Sequence, residues 1–154
     1  MVVLMDVKKI ATDLIAKHKT NDPFTIADLR GINVLDCPMK STLGYYTKYK
    51  RVQNIILNSN IPEALRSFVC AHELGHAICH SDLNTKWLKE NTLFSVEKIE
   101  VQASTFAIEL LLPDKILLES ADCSIYTIAK EIGIPKDLVY LKNFARLSEH
   151  MFPF

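Results

Sequence analysis

The stretch Phe68-Val69-Cys70-Ala71-His72-Glu73-Leu74-Gly75-His76-Ala77-Ile78-Cys79 holds three polar side chains, His72, Glu73 and His76, in an otherwise apolar run. Apolar residues on nearly every side predict a buried helix. Histidines four apart project from one face of a helix with their imidazoles close enough to share a metal ion. The glutamate between them sits about 100° round, beside such an ion rather than on it. A buried, unpaired carboxylate is costly or takes up a proton, so Glu73 in this setting implies a cation or a catalytic pKa nearby. The bland alternative has two neutral core histidines, with Glu73 paired to Arg66 or reaching solvent. It needs three separate polar groups satisfied on one greasy helix.

A catalytic zinc needs a third protein ligand and an open position for water. Helical periodicity over residues 95–112, ended by Pro113, predicts a second helix downstream. On it Glu100 shares a face with Val96, Ala103 and Ala107, and the two alanines would let the helices approach closely. Glu97, one turn earlier and about 60° away, competes for the role. Glu109 points to the opposite side and is expected in solvent. His80 continues the histidine row at i+4 from His76 but lies two turns from His72, which suits a capping or ligand-supporting role. Cys79, a small apolar residue, needs no metal role.

Outward from this core, Leu4, Val7, Ala11, Leu14, Ile15 and His18 predict an amphipathic helix ending near Lys19. Pro23 suits the first turn of a short helix that Gly31 stops. β-Branched and aromatic residues over 32–35 and 45–57 predict three short strands, two of them a hairpin turning within Lys48-Tyr49-Lys50-Arg51. The motif helix should start near Pro62 and run to about His80. A polar stretch, residues 81–92, follows it, and short helices are predicted around Ile116, over 125–132 and over 136–145. The fold class is α+β, and neither a repeat nor a domain linker interrupts the chain.

The composition suits one globular unit: 154 residues, 49% apolar and 23% charged, with four glycines and six prolines, which excludes disordered and collagen-like classes. Eighteen basic residues balance eighteen acidic ones, so no global charge draws the chain to nucleic acid or anionic membranes. The zero is uneven: residues 1–60 carry nine basic against five acidic, 61–113 four against seven, and 114–154 five against six. A divalent cation would bring the acidic middle region nearly to balance. Four irregularly spaced cysteines, without a Cys-x-x-Cys pair, read as reduced and mostly buried thiols. The apolar start is too short for a signal segment, and no stretch approaches a membrane span, so a cytoplasmic location is expected. Residues 125–144 have a helix, glycine turn, helix rhythm. The second helix of that rhythm offers only Lys136, Lys142 and Arg146 to a DNA groove, so packing on the core or on a protein partner is the better reading than a helix-turn-helix DNA-binding module.

Taken together, these residues resemble the ImmA/IrrE family of zinc metallopeptidases. The resemblance covers residues 54–113: Ile55-Ile56-Leu57-Asn58 as an edge-like strand, Arg66 and Phe68 ahead of His72-Glu73-Leu74-Gly75-His76, and then His80. After a spacer come Glu100-Val101-Gln102-Ala103, Phe106-Ala107 and Glu109-Leu110-Leu111-Leu112-Pro113. It implies a Zn2+ cofactor held by His72, His76 and Glu100, with Glu73 catalytic, and so favours Glu100 over Glu97. It further implies a small zincin-like domain over 1–154, with a three-stranded sheet packed on the motif helix and the Glu-ligand helix. Residues 1–113 would form its core, and 114–154 a helical C-terminal part. Ser104 stands where the family usually has Asn or Asp; at i+4 from Glu100 it would orient a ligand, as His80 would. The implied activity is endopeptidase cleavage of a protein substrate, a companion helix-turn-helix repressor of a mobile element or stress locus. The rival is a zinc-binding regulator that acts by protein binding with little turnover. A further donor to the reacting carbonyl is open among Tyr45, Tyr46, Tyr126, Tyr140 and His150.

Overall fold

Asp6 opens the first helix, α1 (Val7–His18), by accepting a hydrogen bond from the Lys9 amide at 3.0 Å, and Lys19 closes it in the left-handed conformation. The computed structural model describes residues 5–81, 93–120 and 122–143. In α2 (Pro23–Leu29), Pro23 occupies the first turn and the Asp22 carboxylate accepts from the amides of Phe24 and Thr25. Gly31, at φ 71°, then turns the chain into the sheet.

The sheet is mixed, with strands β1 (Asn33–Cys37), β2 (Gly44–Tyr49) and β3 (Val52–Asn58) in the order β1-β3-β2. β1 runs parallel to β3 with Val34 opposite Ile55, and β2 runs antiparallel to β3 with Tyr46 opposite Ile55. The segment expected to be edge-like, Ile55-Ile56-Leu57-Asn58, is therefore the central strand. Its three apolar residues are buried on both faces of the sheet, as a central strand requires. The β2–β3 turn is tight, with Lys50 and Arg51 at φ 47° and 71°. Asn58 ends β3 by tying down the preceding loop: its amide donates to the carbonyls of Met39 and Thr42, and its carbonyl accepts from the Met39 and Asn60 amides.

Among the described residues five further elements follow: α3 (Glu63–Cys79), α4 (Leu93–Leu111), α5 (Asp114–Glu119), α6 (Ile125–Ile132) and a 3₁₀ helix (Lys136–Leu141). The α+β class is as expected. α3 packs on one sheet face, where Tyr46, Ile55 and Leu57 join Phe68, Val69 and Leu74 in the core. β2 meets α3 at Gly44, where a Cβ would lie 2.8 Å from Val69 Cγ1 and 2.9 Å from the Ile56 carbonyl oxygen. The expected polar stretch falls mostly outside the described residues, as does the end of the helix expected over 136–145. None of the described helices is long and apolar enough to cross a membrane.

Two expectations about charged residues are corrected. Glu109, expected in solvent, is only 3% exposed, and Lys142, counted as a possible groove contact, is also 3% exposed. Lys142 Nζ donates to Glu109 Oε2 at 2.7 Å and to Asp114 Oδ1 at 2.9 Å. Lys8 Nζ donates to the same Asp114 oxygen at 2.9 Å and to the Asn143 carbonyl, while the Asn143 amide donates to Glu109 Oε1 at 2.9 Å. The cause is legible in α4, whose C-terminal half is apolar all round and leaves Glu109 no wet face. The helix-turn-helix rhythm is likewise absorbed by packing. Gly133, at φ 99°, caps α6 so close to the first turn of α3 that a Cβ would overlap the Ala64 carbonyl oxygen.

Candidate metal centre

The site lies between α3 and α4, and small residues let these helices meet. Ala103 and Ala107 are fully buried, and a Cβ on Gly75 would lie 3.1 Å from both the Ala103 carbonyl oxygen and Phe106 Cδ1. This approach brings the Glu100 carboxylate across the two histidines of α3. His72 Nε2 is 3.0 Å from Glu100 Oε2, and His76 Nε2 is 3.4 Å from Oε1. One donor atom from each residue lies within 4.8 Å of the others, the only such group of three among the described residues. Glu97 is exposed and stands outside that group.

Hydrogen bonds from His72 and then His76 hold the Glu100 carboxyl well below the usual carboxylate range, against burial, which acts the other way. Its side chain keeps 37% exposure, so the donor set opens toward solvent on this side. Two imidazole nitrogens and one carboxylate oxygen, with room for a further ligand, suit a catalytic zinc, and the residues present fit such an ion.

The outward-facing ring nitrogens are also engaged. His72 Nδ1 lies 3.0 Å from Ser104 Oγ, and His76 Nδ1 lies 3.3 Å from His80 Nδ1. His80 Nε2 in turn is 2.8 Å from Gln102 Oε1. Burial pushes His80 below the ordinary imidazole pKa, which favours its neutral form. Glu73 is 7% exposed on the same helix, and Arg66 is bound to Asp36 at 2.6 Å. Cys79 is outside the group of three, and burial raises its thiol to about 11 and that of Cys70 to about 12. Cys37 and Cys123 are exposed, so the thiols are not mostly buried as the sequence suggested. Of the tyrosines left open, Tyr46 is buried and accepts from Gln53 Nε2 at 2.7 Å, and Tyr45, Tyr126 and Tyr140 are exposed. His150 lies outside the described residues.

The family model for the IrrE N-terminal-like domain matches residues 27–152. The chain is also 33% identical over 114 residues to Metallopeptidase ImmA of Bacillus subtilis (strain 168), across 74% of this chain and 68% of that protein. The chain belongs to the ImmA/IrrE family. The chain is also similar to "Uncharacterized immunity region protein 2" of Bacillus phage phi105, 42% identical over 144 residues, 92% of this chain and 91% of that one. ImmA/IrrE membership makes the chain a member of a metallopeptidase family, which implies a metal ion and a protein substrate. Sequence reasoning passed over one contact at the centre, that of Gln102 with His80. The residue was visible only as a neighbour of Glu100, and nothing in helix periodicity links it to the end of α3.

Proposed function

We propose that this ImmA/IrrE protein is a zinc-dependent endopeptidase that cuts a companion helix-turn-helix repressor at a defined site. The observation that carries this reading is the convergence of His72 Nε2, His76 Nε2 and the Glu100 carboxylate, with Glu73 on the same helix turn as the histidines. In this reading those three residues hold Zn2+, and Ser104 and His80 steady the two imidazoles from behind. A bound zinc ion acts as a Lewis acid and makes water nucleophilic at neutral pH. Glu73 takes the proton from the attacking water and returns it to the leaving amine, so one carboxylate serves as base and then as acid. The arrangement of sheet, motif helix and Glu-ligand helix is read as zincin-like. Residues 1–154 are read as one catalytic unit, with its core over 1–113, acting in the cytoplasm.

The repressor assignment draws support from the immunity region named for the phage relative. Its test is direct: the zinc-loaded chain is incubated with the repressor encoded beside its gene, and discrete fragments are expected. Glu73→Gln should retain zinc and lower cleavage by at least about 100-fold. Cleavage unchanged in that variant would remove Glu73 from the mechanism, and zinc binding without any cleavage by the unaltered chain would favour the binding-only regulator.

A further inference from the structure

We propose that Gln102 is a positioning residue that sets the tautomer of His76, acting through His80, so that His76 presents its Nε2 lone pair to the metal. The proposal rests on the metal-site reading above and adds a polarity to it. The contacts form a chain, Gln102 Oε1 to His80 Nε2 at 2.8 Å and His80 Nδ1 to His76 Nδ1 at 3.3 Å. A carbonyl oxygen only accepts, so His80 must carry its hydrogen on Nε2. A neutral imidazole then has a bare Nδ1, which accepts from His76 and requires the His76 hydrogen on Nδ1. When a metal takes the place of the hydrogen in the His76–Glu100 contact, Nε2 is then the nitrogen whose lone pair is free to ligate, and it is the one that faces Glu100.

Burial strengthens the argument, because His76 and His80 are 2% and 6% exposed and water has little access to supply an alternative partner. His72 is held differently. Its Nδ1 contacts the Ser104 hydroxyl, which donates or accepts equally well and so imposes no polarity of its own. A donor in place of the Gln102 carbonyl would reverse the chain: His80 would carry its hydrogen on Nδ1 and donate to His76 Nδ1. The His76 hydrogen would then sit on Nε2, where it blocks ligation.

The test uses the full-length chain and zinc alone, with affinity read by competition against a chromophoric chelator and tautomers by ¹H–¹⁵N NMR of ¹⁵N-histidine protein. Gln102→Glu keeps an acceptor and should bind zinc about as tightly as the unaltered chain. Gln102→Met keeps the shape without the acceptor and should weaken binding about 10-fold, and Gln102→Lys, a donor, by about 100-fold. The zinc-loaded chain should show His80 protonated on Nε2 and His76 on Nδ1. Equal zinc affinity in Gln102→Met, or His80 protonated on Nδ1 in the unaltered protein, overturns the relay and leaves the metal site standing. Failure of the unaltered chain to bind zinc overturns both.

Discussion

Glu100 touches both histidines while Glu97, three residues earlier, is turned to solvent, so one turn of α4 separates a ligand from a surface carboxylate. Elemental analysis of purified variants should find zinc lost from Glu100→Ala and retained in Glu97→Ala; the reverse pattern would transfer the role to Glu97. Ser104, shorter than the Asn or Asp usual in the family, still reaches His72 Nδ1 at 3.0 Å, so the shorter side chain preserves the contact. Glu73 and Glu109 make the most instructive pair. Each stands in an apolar helical run, and the reasoning that demanded a cation near Glu73 applied equally to Glu109. At Glu109 the cation is the ammonium of Lys142, brought from 33 residues away.

At the scale of elements, the metal centre depends on how closely α4 lies against α3, and Gly75 is where that closeness is set. In Gly75→Ala the new methyl meets the Ala103 backbone at 3.1–3.2 Å, tight enough to push α4 outward by a few tenths of an ångström. Alanine also gains about 1 kcal/mol of helix propensity over glycine. Thermal unfolding should therefore change by less than about 1 kcal/mol, while zinc affinity falls about tenfold as Glu100 is displaced from the histidines. Unchanged affinity would show that the centre tolerates a looser helix pair.

At the scale of the whole molecule, Lys8, Glu109, Asp114 and Lys142 join α1, α4, α5 and the chain after the 3₁₀ helix in one largely buried ion cluster. Glu109→Ala leaves the Lys142 ammonium buried with a single remaining carboxylate. It should cost about 3–5 kcal/mol in urea unfolding, and a loss under about 1 kcal/mol would mean the cluster relaxes into water. Asp114 supplies the pH dependence. Burial raises its pKa, but hydrogen bonds from Lys142 and Lys8 outweigh this and the net shift is downward. Its contribution is thus fully present above about pH 4 and is lost as pH falls through the lower folded value. Asp114→Asn should be less stable than the unaltered chain near neutrality, and the gap should close in acid; a gap independent of pH would exclude this origin.

Local spacing by itself determined the motif helix, the facing glutamate helix, the hairpin and the α+β class, because helix and strand periods are short-range properties of the chain. It also pointed to a cation or a shifted pKa near Glu73, though it left Glu109 in solvent. Tertiary structure decided that Lys142 is the cation Glu109 meets, that β3 rather than an edge carries Ile55-Ile56-Leu57, and that Gln102 closes on His80. Those outcomes depend on which faces of distant segments pack together, and that choice is made by burying apolar surface across the whole chain, where no single window of sequence holds both partners.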